Sequence, residues 1–130
     1  MKIYYLCTFW GCENLSAKEF LNQVVTNGYE GVEINFPDDD FFVSEFLTEL
    51  QNIRNTINKD FIFVAQQVLS NKIETVGDYI LRMTAQLEFL IELKPNFINS
   101  HTGKDFFDFS DNSKIIETAE QISKKYKIQI

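Results

Sequence analysis

Strand-like and helix-like segments alternate along this chain, and each strand begins about thirty residues after the last, the length of one βα unit. Ile3 to Phe9 is a dense apolar and aromatic run, as expected of a strand covered on both faces. Ser16-Ala17-Lys18-Glu19 has capping-box spacing and opens a helix with Phe20, Leu21, Val24 and Val25 on its buried face, which Asn27-Gly28 ends. Tyr29-Glu30-Gly31 leads into a second strand, Val32 to Phe36, broken by Pro37 and three aspartates. The next helix places Phe42, Phe46, Leu47, Leu50, Ile53 and Ile57 at helical spacing, and Phe61 to Val68 is a third strand, rich in aromatic and β-branched residues. The longest helix runs from about Thr75 to Leu93, with Tyr79, Ile80, Met83, Leu87, Leu90 and Ile91 inward, and Pro95 stops it. A fourth strand, Phe97 to Ser100, precedes a helix from about Asn112 to Tyr126 that carries Ile115, Ile116, Ala119 and Ile122. Ile128-Gln129-Ile130 reads as the beginning of a fifth strand.

Alternation of this kind predicts an α/β fold with a parallel sheet and right-handed crossovers. Two architectures fit: an open five-stranded doubly wound sheet, or the amino-terminal half of a (β/α)8 barrel, which needs about 250 residues when complete. Periodicity does not separate them. Both put the functional cleft at the carboxyl ends of the strands.

Composition narrows the function classes. The 130 residues are 45% hydrophobic and 15% aromatic, with thirteen phenylalanines, as in a globular domain with a substantial core. A formal charge of −7 disfavours nucleic acid as a partner. The only basic cluster, Lys124, Lys125 and Lys127, sits at a helix end, where it complements the dipole. Cys7 and Cys12 lack the paired CxxC spacing of a zinc knuckle or thioredoxin motif, so reduced cysteines in a cytoplasmic protein are expected. No apolar run approaches the ~20 residues of a membrane span, and the first residues do not resemble a signal peptide.

Each expected strand ends on chemically useful side chains: Trp10 with Gly11, Glu33, Gln66 with Gln67, and His101. Trp10 is either core or an apolar wall on which a sugar ring lies. Glu33, between Val32 and Ile34, must face a polar cavity or pair with a cation, because burying a lone carboxylate is costly. Gln66 and Gln67 adjoin, so alternation sends one inward and the other towards the helices, with Gln66 the inward one. His101, the only histidine, follows a strand and precedes a glycine turn amid Asn99, Ser100, Thr102, Lys104 and Asp105, a setting for acid–base or metal chemistry. The aromatic run Phe106-Phe107-Asp108-Phe109 is either a lid over a ligand or a hydrophobic cover. Asp38-Asp39-Asp40 reads as a solvated turn before a helix rather than a metal site, since consecutive aspartates point in different directions.

Taken together, Trp10-Gly11, Gly28-Tyr29-Glu30-Gly31-Val32-Glu33, Ala65-Gln66 and Ile98-Asn99-Ser100-His101-Thr102-Gly103-Lys104-Asp105 resemble the xylose-isomerase-like TIM barrels. These are the sugar (phosphate) isomerases and epimerases, which share their fold with endonuclease IV. The likeness spans the whole chain but only the first half of that fold. It implies one partial barrel domain over residues 1–130, with four βα units and the start of strand five. It further implies a divalent metal (manganese, zinc, cobalt or magnesium) that polarises a sugar carbonyl or hydroxyl while carboxylates move a proton between adjacent carbons. In that scheme Glu33 and His101 are catalytic, His101 touches substrate or metal, and Trp10, Gln66, Asn99, Lys104 and Asp105 contact substrate. Most metal ligands in such barrels lie on strands five to eight, beyond this chain. Gln66 stands where the endonuclease branch has a zinc-binding histidine, which argues against a trinuclear zinc site.

The resulting expectation is a metal-dependent sugar isomerase or epimerase in the full-length protein, with the present chain weakly active or inactive by itself. Two such halves would self-associate through exposed sheet edges and apolar faces. The competing expectation is a non-catalytic α/β domain that binds a small ligand or a protein, although no glycine-rich phosphate fingerprint supports a nucleotide version.

Overall fold

A computed structural model describes residues 1–130. Its elements alternate strictly: β1 Leu6–Thr8, α1 Ala17–Thr26, β2 Gly31–Ile34, α2 Asp40–Thr56, β3 Ile62–Gln67, α3 Val76–Glu92, β4 Phe97–Ser100 and α4 Phe109–Tyr126. The four strands form one all-parallel sheet in the order β1-β2-β3-β4, as strict βα alternation requires. The chain divides into two compact units, Met1–Ala65 and Gln66–Ile130. No helix is long and apolar enough to cross a membrane.

In the first unit, the hydroxyl of Ser16 accepts from Glu19 N–H and the Glu19 carboxylate accepts from Ser16 N–H, completing the expected box at the start of α1. Ala17, Phe20, Leu21 and Val24 are buried below it. Asp39 Oδ1 accepts from the N–H groups of Phe41 and Phe42, so the aspartate run is a helix cap. Helix α2 then buries Phe42, Phe46, Leu50 and Ile53. Phe36 meets Phe46 at 5.0 Å with the rings perpendicular, and Phe46 meets Phe63 of β3 at 5.1 Å. Edge-to-face contacts of this type contribute about 0.5–1.5 kcal/mol each beyond area burial.

Three expectations for this unit are corrected. Strand β1 begins at Leu6 rather than Ile3, and Ile3, Tyr4 and Tyr5 are exposed. The reason lies in the sheet order: β1 is an outer strand with a partner on one side only, so it is not covered as a central strand would be. Ile57, expected on the inner face of α2, caps that helix at its carboxyl end and is exposed. Leu47, on the same face in the sequence reading, is only half-buried.

The second unit carries Gln66 and Gln67 of β3, then α3, β4 and α4. Thr75 caps α3 by accepting from Asp78 N–H, and Tyr79, Met83, Leu87 and Leu90 are buried along it. Ile80 and Ile91, expected inward, are half-buried. Helix α4 starts at Phe109, earlier than expected, because Asp108 accepts from Asp111 N–H and caps it. Ile115, Ala119 and Ile122 form its buried face, while Ile116 is exposed. Residues 128–130 form no strand ladder, yet Ile98 N–H donates to Gln129 O at 2.9 Å, one bond of the kind that opens a fifth parallel strand.

Candidate functional site

A concavity of the first unit opens just past the carboxyl ends of β1 and β2, where parallel sheets place their ligands. It encloses about 460 Å³ and is lined by Trp10 from the segment after β1 and by Asn35 and Phe36 from the segment after β2. Glu13 from the β1–α1 loop and Phe41 and Glu45 from α2 complete much of its wall. Trp10 is 60% exposed and Phe41 74% exposed, whereas Phe9 and Phe42, which also line it, are buried. Trp10 is therefore a wall of the cleft and not core. Trp10 and Phe41 together give this wall two exposed aromatic rings.

The polar part of the wall is acidic. Glu13, Asp39 and Glu45 line the cleft, and no lysine, arginine or histidine does. Glu13 Oε1 accepts from Gly11 N–H at 3.0 Å. Backbone N–H bonds from Glu13 itself and from Gly11 hold its carboxyl below the ordinary value. Glu45 Oε2 accepts from Lys18 N–H at 3.1 Å, and the side chain of Lys18 pairs instead with Glu49. In each case the partner is a backbone amide, which fixes the carboxylate without cancelling its charge. Glu33, expected as a catalytic residue, does not line this cleft. It is half-buried in β2, in register with Thr8 and Val64, and its carbonyl accepts from Phe9 N–H.

The two cysteines line a separate cavity of about 420 Å³ beside α1, with Phe20, Gln23 and Tyr29. Both are free thiols. Burial, with a smaller contribution from Cys12, pushes the Cys7 thiol up, away from the thiolate form that nucleophiles and metal ligands need.

In the second unit, the residues around the only histidine form a connected network. His101 N–H donates to Gln67 O, and its carbonyl accepts from the Tyr79 hydroxyl at 3.2 Å. The same hydroxyl accepts from Gly103 N–H at 3.1 Å, so one buried phenol pins both sides of the turn. The imidazole itself is on an exposed residue, as are Asn99 and Asp105. Gln66 and Gln67 are both buried, at 6% and 0% exposure. Gln67 Nε2 donates to Gln86 Oε1 of α3, which identifies Gln67 as the residue turned towards the helix and, by alternation, puts Gln66 on the opposite face.

Lys104, expected to contact substrate, straps a neighbouring loop in this structure. Its ammonium donates to Leu69 O at 3.3 Å and to Asn71 Oδ1 at 3.0 Å, holding the loop after β3. Its own N–H and carbonyl are tied to Asn112 of α4. Phe107 of the aromatic run packs edge-on against Tyr79 at 5.5 Å and acts as cover, while Phe106 and Phe109 are exposed. No three side chains of His, Cys, Asp or Glu converge as a metal site would require.

The sequence reading singles out Trp10 but not Glu13, Phe41 and Glu45, which line the same cleft, nor the Tyr79 hydroxyl. Glu13 lies in the loop that follows a strand, and Phe41 and Glu45 lie at the start of the helix after the next strand. A search of every segment just past a strand, not only its last residue, would have found them. Comparison with protein families, with curated proteins and with solved structures finds no match.

Proposed function

We propose that this chain binds a small polyhydroxylated ligand in the cleft beside Trp10, as the amino-terminal part of a sugar isomerase- or epimerase-like barrel. The observation that carries this reading is the exposed indole walling a 460 Å³ cleft at the carboxyl ends of two parallel strands. A sugar's C–H face packs well against such a plate, and Asn35, Ser16 and Glu13 around it offer hydrogen-bond partners for hydroxyls. The four βα units and the strand-end residues His101 and Glu33 support the barrel resemblance.

The residues present do not make a fit for the divalent metal that resemblance implies, because the donor atoms do not converge. Three ligands at least are needed for a stable site. Isomerisation would be a property of a protein supplying further ligands. A second reading is a binding domain without catalysis, for which the cleft beside Trp10 suffices. The outer position of β1 in the sheet supports self-association of this chain as part of either reading. The free thiols fit a cytoplasmic setting.

The single tryptophan makes the test direct. Titration with neutral monosaccharides, read by Trp10 emission, is expected to give a saturable blue shift that Phe41→Ala weakens. Unchanged emission up to about 100 mM sugar, far above the 1 μM–1 mM range usual for enzyme substrates, would remove the reading.

A further inference from the structure

We infer that the cleft beside Trp10 selects a cationic ligand, an amino sugar in preference to a neutral or phosphorylated one. The inference rests on the carbohydrate reading above and deepens it. Three carboxylates, Glu13, Asp39 and Glu45, line the cleft together with the exposed rings of Trp10 and Phe41. No basic side chain lines it.

Charge balance at each carboxylate supports the selection. Asp39 is held by the N–H groups of Phe41 and Phe42 at the amino end of α2, so the helix end offsets part of its charge. Glu13 is held by backbone N–H groups, its own and that of Gly11, and Glu45 by that of Lys18, and none of these supplies a net positive charge. Lys18, whose N–H holds Glu45, does not line the cleft, and its ammonium pairs with Glu49 at 4.0 Å. Two carboxylates thus face any ligand without a side-chain counterion.

An aromatic face adds a second attraction of the same sign preference, since the ring quadrupole favours a cation above it. A phosphate group meets the opposite: repulsion from the carboxylates and no cation to receive it. A hydroxyl finds acceptors but gains nothing from the net charge. The chemistry that satisfies plates and carboxylates together is a sugar-sized ring bearing an ammonium group.

The test uses the full chain and three matched probes, glucosamine, glucose and glucose 6-phosphate, titrated at one ionic strength and read by Trp10 emission. Cyclohexylamine serves as a cation without hydroxyls. Glucosamine is expected to bind about tenfold more tightly than glucose, equivalent to about 1.4 kcal/mol, with no detectable binding of the phosphate. Glu13→Gln and Glu45→Gln should each reduce that ratio about threefold or more, and added salt should weaken glucosamine but not glucose. Circular dichroism confirms that both variants fold. Equal affinity for glucosamine and glucose would overturn the charge selection and leave carbohydrate binding standing. Tight binding of the phosphate would overturn the selection too. Cyclohexylamine binding as well as glucosamine would keep the cation site and remove the carbohydrate reading. Silence from every probe would remove both.

Discussion

The Ser100 hydroxyl donates a 2.6 Å hydrogen bond to Gln67 Oε1, joining β4 to β3 through side chains as well as backbone. Gln67 Nε2 donates to Gln86 Oε1, and Gln86 Nε2 donates to Val68 O. The Gln67 side chain is fully buried, so its bonds to Ser100 and Gln86 replace water that cannot reach it. Gln67→Ala removes the hub, leaves Ser100 and Gln86 each without this partner, and opens a cavity. Its expected cost is about 2–4 kcal/mol in urea unfolding followed by circular dichroism. Ser100→Ala loses one bond and should cost about 1 kcal/mol. Equal losses for the two variants would show that Gln67 is not the hub.

Local features of this fold were legible in the sequence, and features that depend on distant partners were not. The box of Ser16 and Glu19 is complete within four residues and needs no tertiary information. The strand Phe97–Ser100 was read with its observed limits because a proline precedes it and a polar turn follows. Trp10 reads as core or site because an indole suits both, and only its 60% exposure in the folded chain separates them. Lys104 looked like a substrate contact because the sequence around His101 is polar. Its actual acceptors, Leu69 and Asn71, lie 35 and 33 residues away, and no local pattern announces them. The beginning of β1 was misplaced because apolar content marks a strand but not whether a neighbour is there to cover it.

Gly31 is fixed by space, not by backbone angle. A Cβ at this position would press on the carbonyl oxygen of Ile62 and come within 2.7 Å of the Leu6 side chain. Gly31 pairs with both residues in the sheet, so β2 sits between two neighbours that cannot withdraw without breaking register. Gly31→Ala is expected to cost at least the upper end of the range of about 1–3 kcal/mol for overpacking. The check is the urea midpoint, with Gly77→Ala as the control: a Cβ there meets nothing closer than the Thr75 hydroxyl at 3.8 Å. If the two variants unfold at the same midpoint, β1 and β3 are not packed as tightly against Gly31 as described.

The Tyr79 phenol links α3 to the turn after β4, and burial pushes its pKa up from the ordinary value of about 10. The folded state therefore holds this proton more tightly than the unfolded chain does. Its contribution is complete below pH 10 and is lost as pH rises from there through the raised folded value. Tyr79→Phe should flatten that alkaline limb in a plot of melting temperature against pH. Near neutrality it should cost about 1–2 kcal/mol for the two lost bonds. Hydrogen exchange at the Gly103 amide, which donates to the phenol, should quicken. Unchanged exchange at Gly103 would show that the phenol does not hold the turn.

Arg82 of α3 and Glu74 form an ion pair in which the Glu74 side chain is only 2% exposed. Arg82 also donates to the Ser70 hydroxyl at 3.0 Å, so one guanidinium holds two points of the loop between β3 and α3. Removing the cation alone leaves a carboxylate buried without its counterion, which is costlier than losing both partners. Arg82→Ala is expected to destabilise by about 3 kcal/mol, and adding Glu74→Ala should recover part of that loss. Limited proteolysis gives an independent reading: cleavage between Val68 and Thr75 should appear in Arg82→Ala before the rest of the chain is attacked, because the strap that remains, Lys104, holds only Leu69 and Asn71. If Arg82→Ala and the double variant are equally stable, the Glu74 carboxylate finds water once its partner is gone, and the pair contributes geometry to the loop rather than stability to the fold.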